Sequence, residues 1–336
     1  MAITVSNFGD YQGKRVDQFH LVSDTGVEVD IIGYGVAVRD WRVPVDGGQR
    51  SVVLGFDDFA AYPAHSPHFG AVAGRVANRI ADAQFEIDGR TYHVPANEGT
   101  SSLHGGPEGL GRQVWTGEAD SAANSVRFSF FSPDGAAGYP GNVNFTATYT
   151  LAGNRLRLDF AATTDRKTPI SLVQHQYFNL SGAPTTLDHK VSIKASAYTE
   201  NGEDLIPTGI IRPVDGTKWD FRTAKTLRDA AGQPVAFDGN LVLDNGRDLA
   251  EPIAIVTGED GALTLKLWTD RPGVQFYNGV YTDMPVPGLG GKSYKNFSGF
   301  CLEDQAFPDA LRRPYFPNII YSPERPYAHW CEFEIA

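Results

Sequence analysis

Residues Phe69 to Gly106 read FGAVAGRVANRIADAQFEIDGRTYHVPANEGTSSLHGG. Gln84 to Ile87 and Thr91 to Val94 are short strand-like runs, and Asp88-Gly89 separates them. Asp-Gly supplies the positive φ angles that a two-residue hairpin turn requires, so an antiparallel hairpin is predicted here. Two polar clusters flank it, Asn78-Arg79 before and His104-Gly105-Gly106 after. A hairpin folds its two flanks back towards each other. These clusters are therefore the first candidates for a site.

Outside this stretch the period-two pattern continues. Arg155 to Phe160 alternates polar and apolar residues cleanly, as does Ala262 to Trp268. Val143 to Leu151 alternates more loosely, and Glu332 to Ile335 ends the chain in the same way. This is the signature of half-buried strands in antiparallel sheets. The 36 glycines and 21 prolines fall between such runs as turn punctuation. No long helical stripe is present; Asp57 to Ala64 is read as a short helix with Asp57 near its N-cap. Phe237 to Asn240 reads as a loop, and so does Ser132 to Gly141. The fold class is all-β: a large antiparallel β-sandwich or a distorted barrel. No compositional break marks a linker, so residues 1–336 are expected to form a single domain.

The formal net charge of −11 disfavours nucleic acid and anionic membrane as partners, and no basic run tracks a phosphate backbone. The N-terminus lacks the charged and apolar regions of a signal peptide, and no apolar run approaches ~18 residues. The chain has two cysteines, Cys301 and Cys331, in neither a metal-ligand nor a CxxC spacing. Both lie in strand-like runs and are expected to be buried free thiols in a reducing, cytoplasmic setting. The expected partner is a small molecule, bound by a monomer or homodimer.

Several motifs in order carry a family resemblance. They are GRVANRI at Gly74–Ile80, FEIDGRTYHVPANEG at Phe85–Gly99, SLHGG at Ser102–Gly106, SPDG…GYPG at Ser132–Gly141, HQYFNL at His175–Leu180 and FCLE at Phe300–Glu303. In these the chain resembles the aldose 1-epimerase (galactose mutarotase) family. The likeness runs from Val52 to Asp309. It implies a galactose mutarotase-like supersandwich and an isomerase that interconverts the α and β anomers of a free aldose.

That reaction needs few parts. The C1 hydroxyl must lose a proton and the ring oxygen must gain one, so one general base and one general acid suffice. No nicotinamide or metal is required, and neither an HExxH nor a GxGxxG motif is present. Taken alone, Glu303 is an ordinary strand-end carboxylate and His175 a core histidine. The resemblance makes Glu303 the base and His175 the acid, with a neighbouring carboxylate keeping His175 protonated. It places Asn78, Arg79, His104, Asp238 and Gln275 on the sugar, while Arg75 is read as structural. Tyr177, Phe178, Phe276 and Tyr277 are possible apolar walls.

The chain departs from the family pattern at four places. Gly239 stands where a histidine is usual, Gln174 where asparagine is common, and Asp304 follows Glu303 where proline or threonine is frequent. The segment after SLHGG, Pro107 to Arg112, also differs. The sugar is therefore left open among hexoses, deoxy sugars and pentoses. A sugar-phosphate mutarotase and a non-catalytic carbohydrate-binding protein are the alternatives.

Overall fold

The computed structural model describes residues 3–336. Its largest sheet has eight strands, in the order Thr116–Asp120, Ser125–Ser132, Val143–Ala152, Arg155–Thr164, Tyr327–Ile335, Thr264–Thr269, Ala254–Thr257 and Lys190–Ile193. The alternating runs are consecutive neighbours at its centre, paired antiparallel. Leu156, Leu158, Phe160 and Ala162 bury one face of their strand, while Arg155, Ala161 and Thr163 on the other face are exposed. The C-terminal strand sits in the interior of the sheet, between two strands that are far from it in sequence.

A five-stranded sheet of Thr4–Tyr11, Lys14–Val22, Glu28–Ile32, Ala37–Val45 and Gly48–Ser51 packs against this one. Phe19 meets Phe128 edge-on across the interface at 5.2 Å. A second five-stranded sheet runs Pro207–Pro213, Ala195–Asn201, Asp238–Leu243, Gly273–Tyr277 and Cys301–Gln305. One hydrophobic cluster joins all three sheets, with Phe19 and Trp41 from the first, Phe145 and Phe333 from the largest, and Leu241 and Phe276 from the third. The fold is thus the expected large antiparallel β-sandwich. The predicted hairpin forms from Gln84–Ile87 and Arg90–His93, with Ile87 opposite Arg90.

Three local expectations change. The short helix is Ala61–His65 and its N-cap position is Ala60, not Asp57. Asp57 instead accepts the backbone N–H of Gly290 at 2.8 Å, a long-range tie that competes with capping. Asp238 to Asn240 is not loop but the start of a strand, because a partner strand pairs with it through Tyr277, Phe276 and Gln275. Glu303 lies in mid-strand rather than at a strand end. Cys301 and Cys331 are buried free thiols. Among the described residues no helix is long and apolar enough to cross a membrane.

Candidate functional site

Three adjacent strands of the second five-stranded sheet carry one wall of a cleft. Glu303 pairs in register with Gln275, and Gln275 with Asn240 on the next strand. Gln275 Nε2 donates to Asp238 Oδ1 at 2.6 Å, which fixes both side chains. Because strand residues alternate between faces, Asp304 points the other way. There it accepts the Thr269 hydroxyl at 2.5 Å and lies 2.5 Å from His329 Nε2. Asp304 therefore anchors the strand from behind and is not a cleft residue.

The opposite wall comes from short segments. The strand Val173–His175 pairs with Ala71–Ala73 and presents His175. Its neighbour Gln174 faces the core, donating to the Gly70 carbonyl and accepting the Tyr149 hydroxyl at 2.7 Å. Arg79–Ile80 pairs with Ser102–Leu103, so the flanks of the hairpin do meet. Asn78 and His104 both have positive φ, 60° and 52°. The His104 N–H donates to the Asn78 carbonyl, and the Asn78 N–H donates back to His104 Nδ1 at 3.2 Å. Gly105 makes this turn possible: its φ is +84°, and a Cβ there would lie 2.0 Å from the Gly74 carbonyl oxygen.

His175 Nε2 and Glu303 Oε2 are 3.5 Å apart, and both side chains are almost wholly buried. That separation is long for a hydrogen bond, and Glu303 Oε2 has no protein hydrogen-bond partner. Burial pushes the Glu303 carboxyl well above the usual carboxylate range; the Asp238 charge adds to this and Arg79 opposes it. Burial likewise pushes His175 well below the usual histidine value, helped by His68. The carboxylate nearest His175 is thus Glu303 itself, and the surroundings favour a neutral ring, contrary to the protonated one expected. His104 is lowered for the same reasons, burial first and then the neighbouring His68 and His175.

The ligating atoms of His104, His175 and Glu303 lie within 4.8 Å of one another. Two imidazoles and a carboxylate are a familiar donor set for a divalent metal. His104 does not suit that role. A metal-bound histidine normally donates its second ring nitrogen, whereas His104 Nδ1 accepts the Asn78 N–H. Neutral His104 therefore carries its proton on Nε2 and acts as a donor.

The structure brings Asn78, Arg79, His104, His175, Asp238, Gln275 and Glu303 to one cleft of about 160 Å³. Tyr177 and Tyr277 line it, whereas Phe178 and Phe276 belong to the core. Arg75 is structural: buried, it donates to Ser132, Thr168 and the Pro140 and Gly141 carbonyls. His68 and Glu98 are among the lining residues that escaped the sequence reading. His68 has a φ of 73°, and its ring lies 4.7 Å from that of His104 and 5.8 Å from that of His175. Burial and Arg112 lower its pKa to about 4. Glu98 grips Arg79 in a two-pronged ion pair, at 2.5 and 2.9 Å. Gly239, the departure beside Asp238, is also explained. A Cβ there would fall 2.6 Å from the Trp219 ring, so the indole occupies the space a larger residue would need.

Comparison with known proteins shows the family. Residues 17–334 match the family described as aldose 1-epimerase. The chain is 41% identical to the galactose mutarotase of Rattus norvegicus, with all of both chains covered. It is 34% identical to the aldose 1-epimerase of Haemophilus influenzae over 98% of each. A crystal structure of an aldose epimerase homologue from C. elegans superposes with a TM-score of 0.90 at 27% identity, covering 95% of this chain and 98% of that one.

Proposed function

The chain belongs to the aldose 1-epimerase family and is an isomerase that interconverts sugar anomers; from that premise we propose that Glu303 and His175 are its base and acid, acting on a free aldose. One observation carries the assignment: the two groups are buried side by side, 3.5 Å apart, at the floor of the cleft. The oxygens that exchange protons in this reaction, the C1 hydroxyl and the ring oxygen, are bonded to the same carbon. An acid and a base serving both must be near neighbours.

The pair carries one mobile proton. In the empty cleft it rests on Glu303, by the pKa directions above. The productive form has the proton on His175 and the charge on Glu303. Glu303 takes the proton of the C1 hydroxyl, and His175 gives its proton to the ring oxygen. The bond between C1 and the ring oxygen breaks as the C1 carbonyl forms. Rotation about C1–C2 presents the other face, and ring closure runs the two transfers backwards. Proton count and charge are restored.

Asn78, Arg79, His104, Asp238 and Gln275 hold the ring hydroxyls in this reading. The Nε2–H of His104 donates, the Asp238 carboxylate accepts, and Gln275, tied to Asp238, can do both. Galactose is the first sugar to try, because a close relative is named for it. A phosphorylated sugar suits the cleft poorly: Glu98 and Asp238 line it, against Arg79 as the sole Lys or Arg among the described residues that do. The test is polarimetry of freshly dissolved α-D-galactose, α-D-glucose, L-arabinose and D-xylose. Faster relaxation to an unchanged end point supports the reading. No acceleration by folded protein on any of them overturns the free-aldose assignment.

A further inference from the structure

Glu98 has no part in the chemistry just described, yet it lines the cleft and holds Arg79. One fork of the Arg79 guanidinium is committed to it, Nε to Oε2 at 2.5 Å and one terminal nitrogen to Oε1 at 2.9 Å, which leaves the other terminal nitrogen for a sugar hydroxyl. Arg79 is 8% exposed in its side chain and Glu98 40%. The guanidinium is therefore walled in by protein on most sides, and Glu98 lines the cleft beside it. Asp238 Oδ2 sits a further 3.8 Å from Arg79.

A buried, forked arginine at the wall of a small polar cleft is the group best suited to a carboxylate or phosphate, which it binds two-pronged. Here one fork is already filled and the positive charge already paired from within the chain. The cleft also holds Asp238, so a negatively charged ligand meets like charge and, among the described residues that line it, finds no unpaired Lys or Arg. We propose that Glu98 is a specificity-determining residue that confines the cleft to uncharged sugars by occupying Arg79. The inference rests on the free-aldose reading above. It adds a device by which anionic sugars, uronates and sugar phosphates alike, are turned away.

The device makes a testable asymmetry. In Glu98→Gln the fork loses its anionic partner while the loop keeps an amide of the same shape. Arg79 is then free to pair with a substrate carboxylate. Activity on neutral sugar should fall, because Arg79 is held less firmly, while activity on an anionic sugar should rise relative to it. The measurement is kcat/KM for D-galacturonate and for D-galactose, by polarimetry or by exchange NMR between anomer signals. D-galactose 6-phosphate forms a second arm that separates phosphate from carboxylate acceptance. The galacturonate-to-galactose ratio is expected to rise about 10-fold or more in the variant, the usual worth of one charge-assisted hydrogen bond. The rise should shrink at high salt and vanish when Arg79→Gln is added to E98Q.

A ratio that stays constant in E98Q overturns the proposal, as does wild-type protein that turns over galacturonate as readily as galactose. Wild-type inactivity on every neutral aldose is a different result and defeats the free-aldose reading instead. Should E98Q fail to fold by circular dichroism, Glu98→Asp gives the same test. Its shorter side chain releases one prong, so the ratio must rise by an intermediate amount. No rise in a folded E98D rejects the idea.

Discussion

The surroundings of Glu303 set both its chemistry and its cost to the fold. Burial raises its pKa, so between the ordinary carboxylate value and the raised one the native protein keeps a proton that the unfolded chain has lost. Native binding of the extra proton makes stability fall as pH rises from the ordinary carboxylate value, ~4.3, through the raised one. Glu303→Gln mimics the protonated form and cannot ionise. The variant should therefore match wild type in thermal midpoint at low pH and exceed it at neutral pH, the gap widening upward. Its turnover should fall by about 10²–10⁴-fold, the typical worth of a general base, while sugar binding persists by calorimetry. A variant of normal activity would remove Glu303 from the mechanism. The wild-type rate should follow a bell in pH. A second proton on the pair removes the base, and loss of the shared one removes the acid. The two limbs belong to the pair and not to either residue. Seven cleft residues were legible in the sequence because each sits in a run of recognisable neighbours. His68 and Glu98 were not, since a single histidine after proline carries no local pattern, and nothing near Glu98, though it lies in the Phe85–Gly99 run, marks it as the partner of Arg79. Their roles come from contacts made across the fold, to the rings of His104 and His175 and to Arg79.

Among the elements, the turn at His104 shows how backbone geometry fixes a side chain. Gly105 has φ +84°, and the Gly74 carbonyl oxygen lies 2.0 Å from where a Cβ would be. Gly105→Ala adds the left-handed penalty of roughly 1–2 kcal/mol to a contact with backbone that cannot be relieved by a side-chain rotation. The expected loss is more than about 2 kcal/mol in denaturant titration. Because His104 is hydrogen-bonded to Asn78 across this turn, KM should rise as well. A stable Gly105→Ala with unchanged KM would show that the turn is slack. Local signals served well where local forces decide, as in the Asp88-Gly89 hairpin. They failed where a distant partner decides. Asp57 looked like a helix cap but is taken by Gly290, and Asp238 looked like a turn residue but is recruited by the strand of Tyr277.

In the whole molecule, alternation announced the strands but carried no record of which strands pair. Tyr327–Ile335 lies between Arg155–Thr164 and Thr264–Thr269, a pairing set by burial of common faces and not by any short-range signal. Phe178 tests how tightly the resulting layers are coupled. It is fully buried, and its ring lies 6.2 Å from Trp41 in the first sheet, 5.3 Å from Phe333 in the largest and 5.7 Å from Phe300, just before the Glu303 strand. Its backbone also bridges Val53 and Phe300. Truncation to alanine empties space against all three, so Phe178→Ala should destabilise by about 3–5 kcal/mol. The manner of the loss matters more than its size. If the shared cluster makes the sheets one cooperative unit, tryptophan fluorescence and far-ultraviolet circular dichroism must shift together to a single lower midpoint. Two separated transitions in the variant would mean that one part of the three-sheet assembly can melt while the rest stands. The cleft, built from segments that lean on both, would then open before the protein unfolds, and catalytic activity would be lost at the first transition.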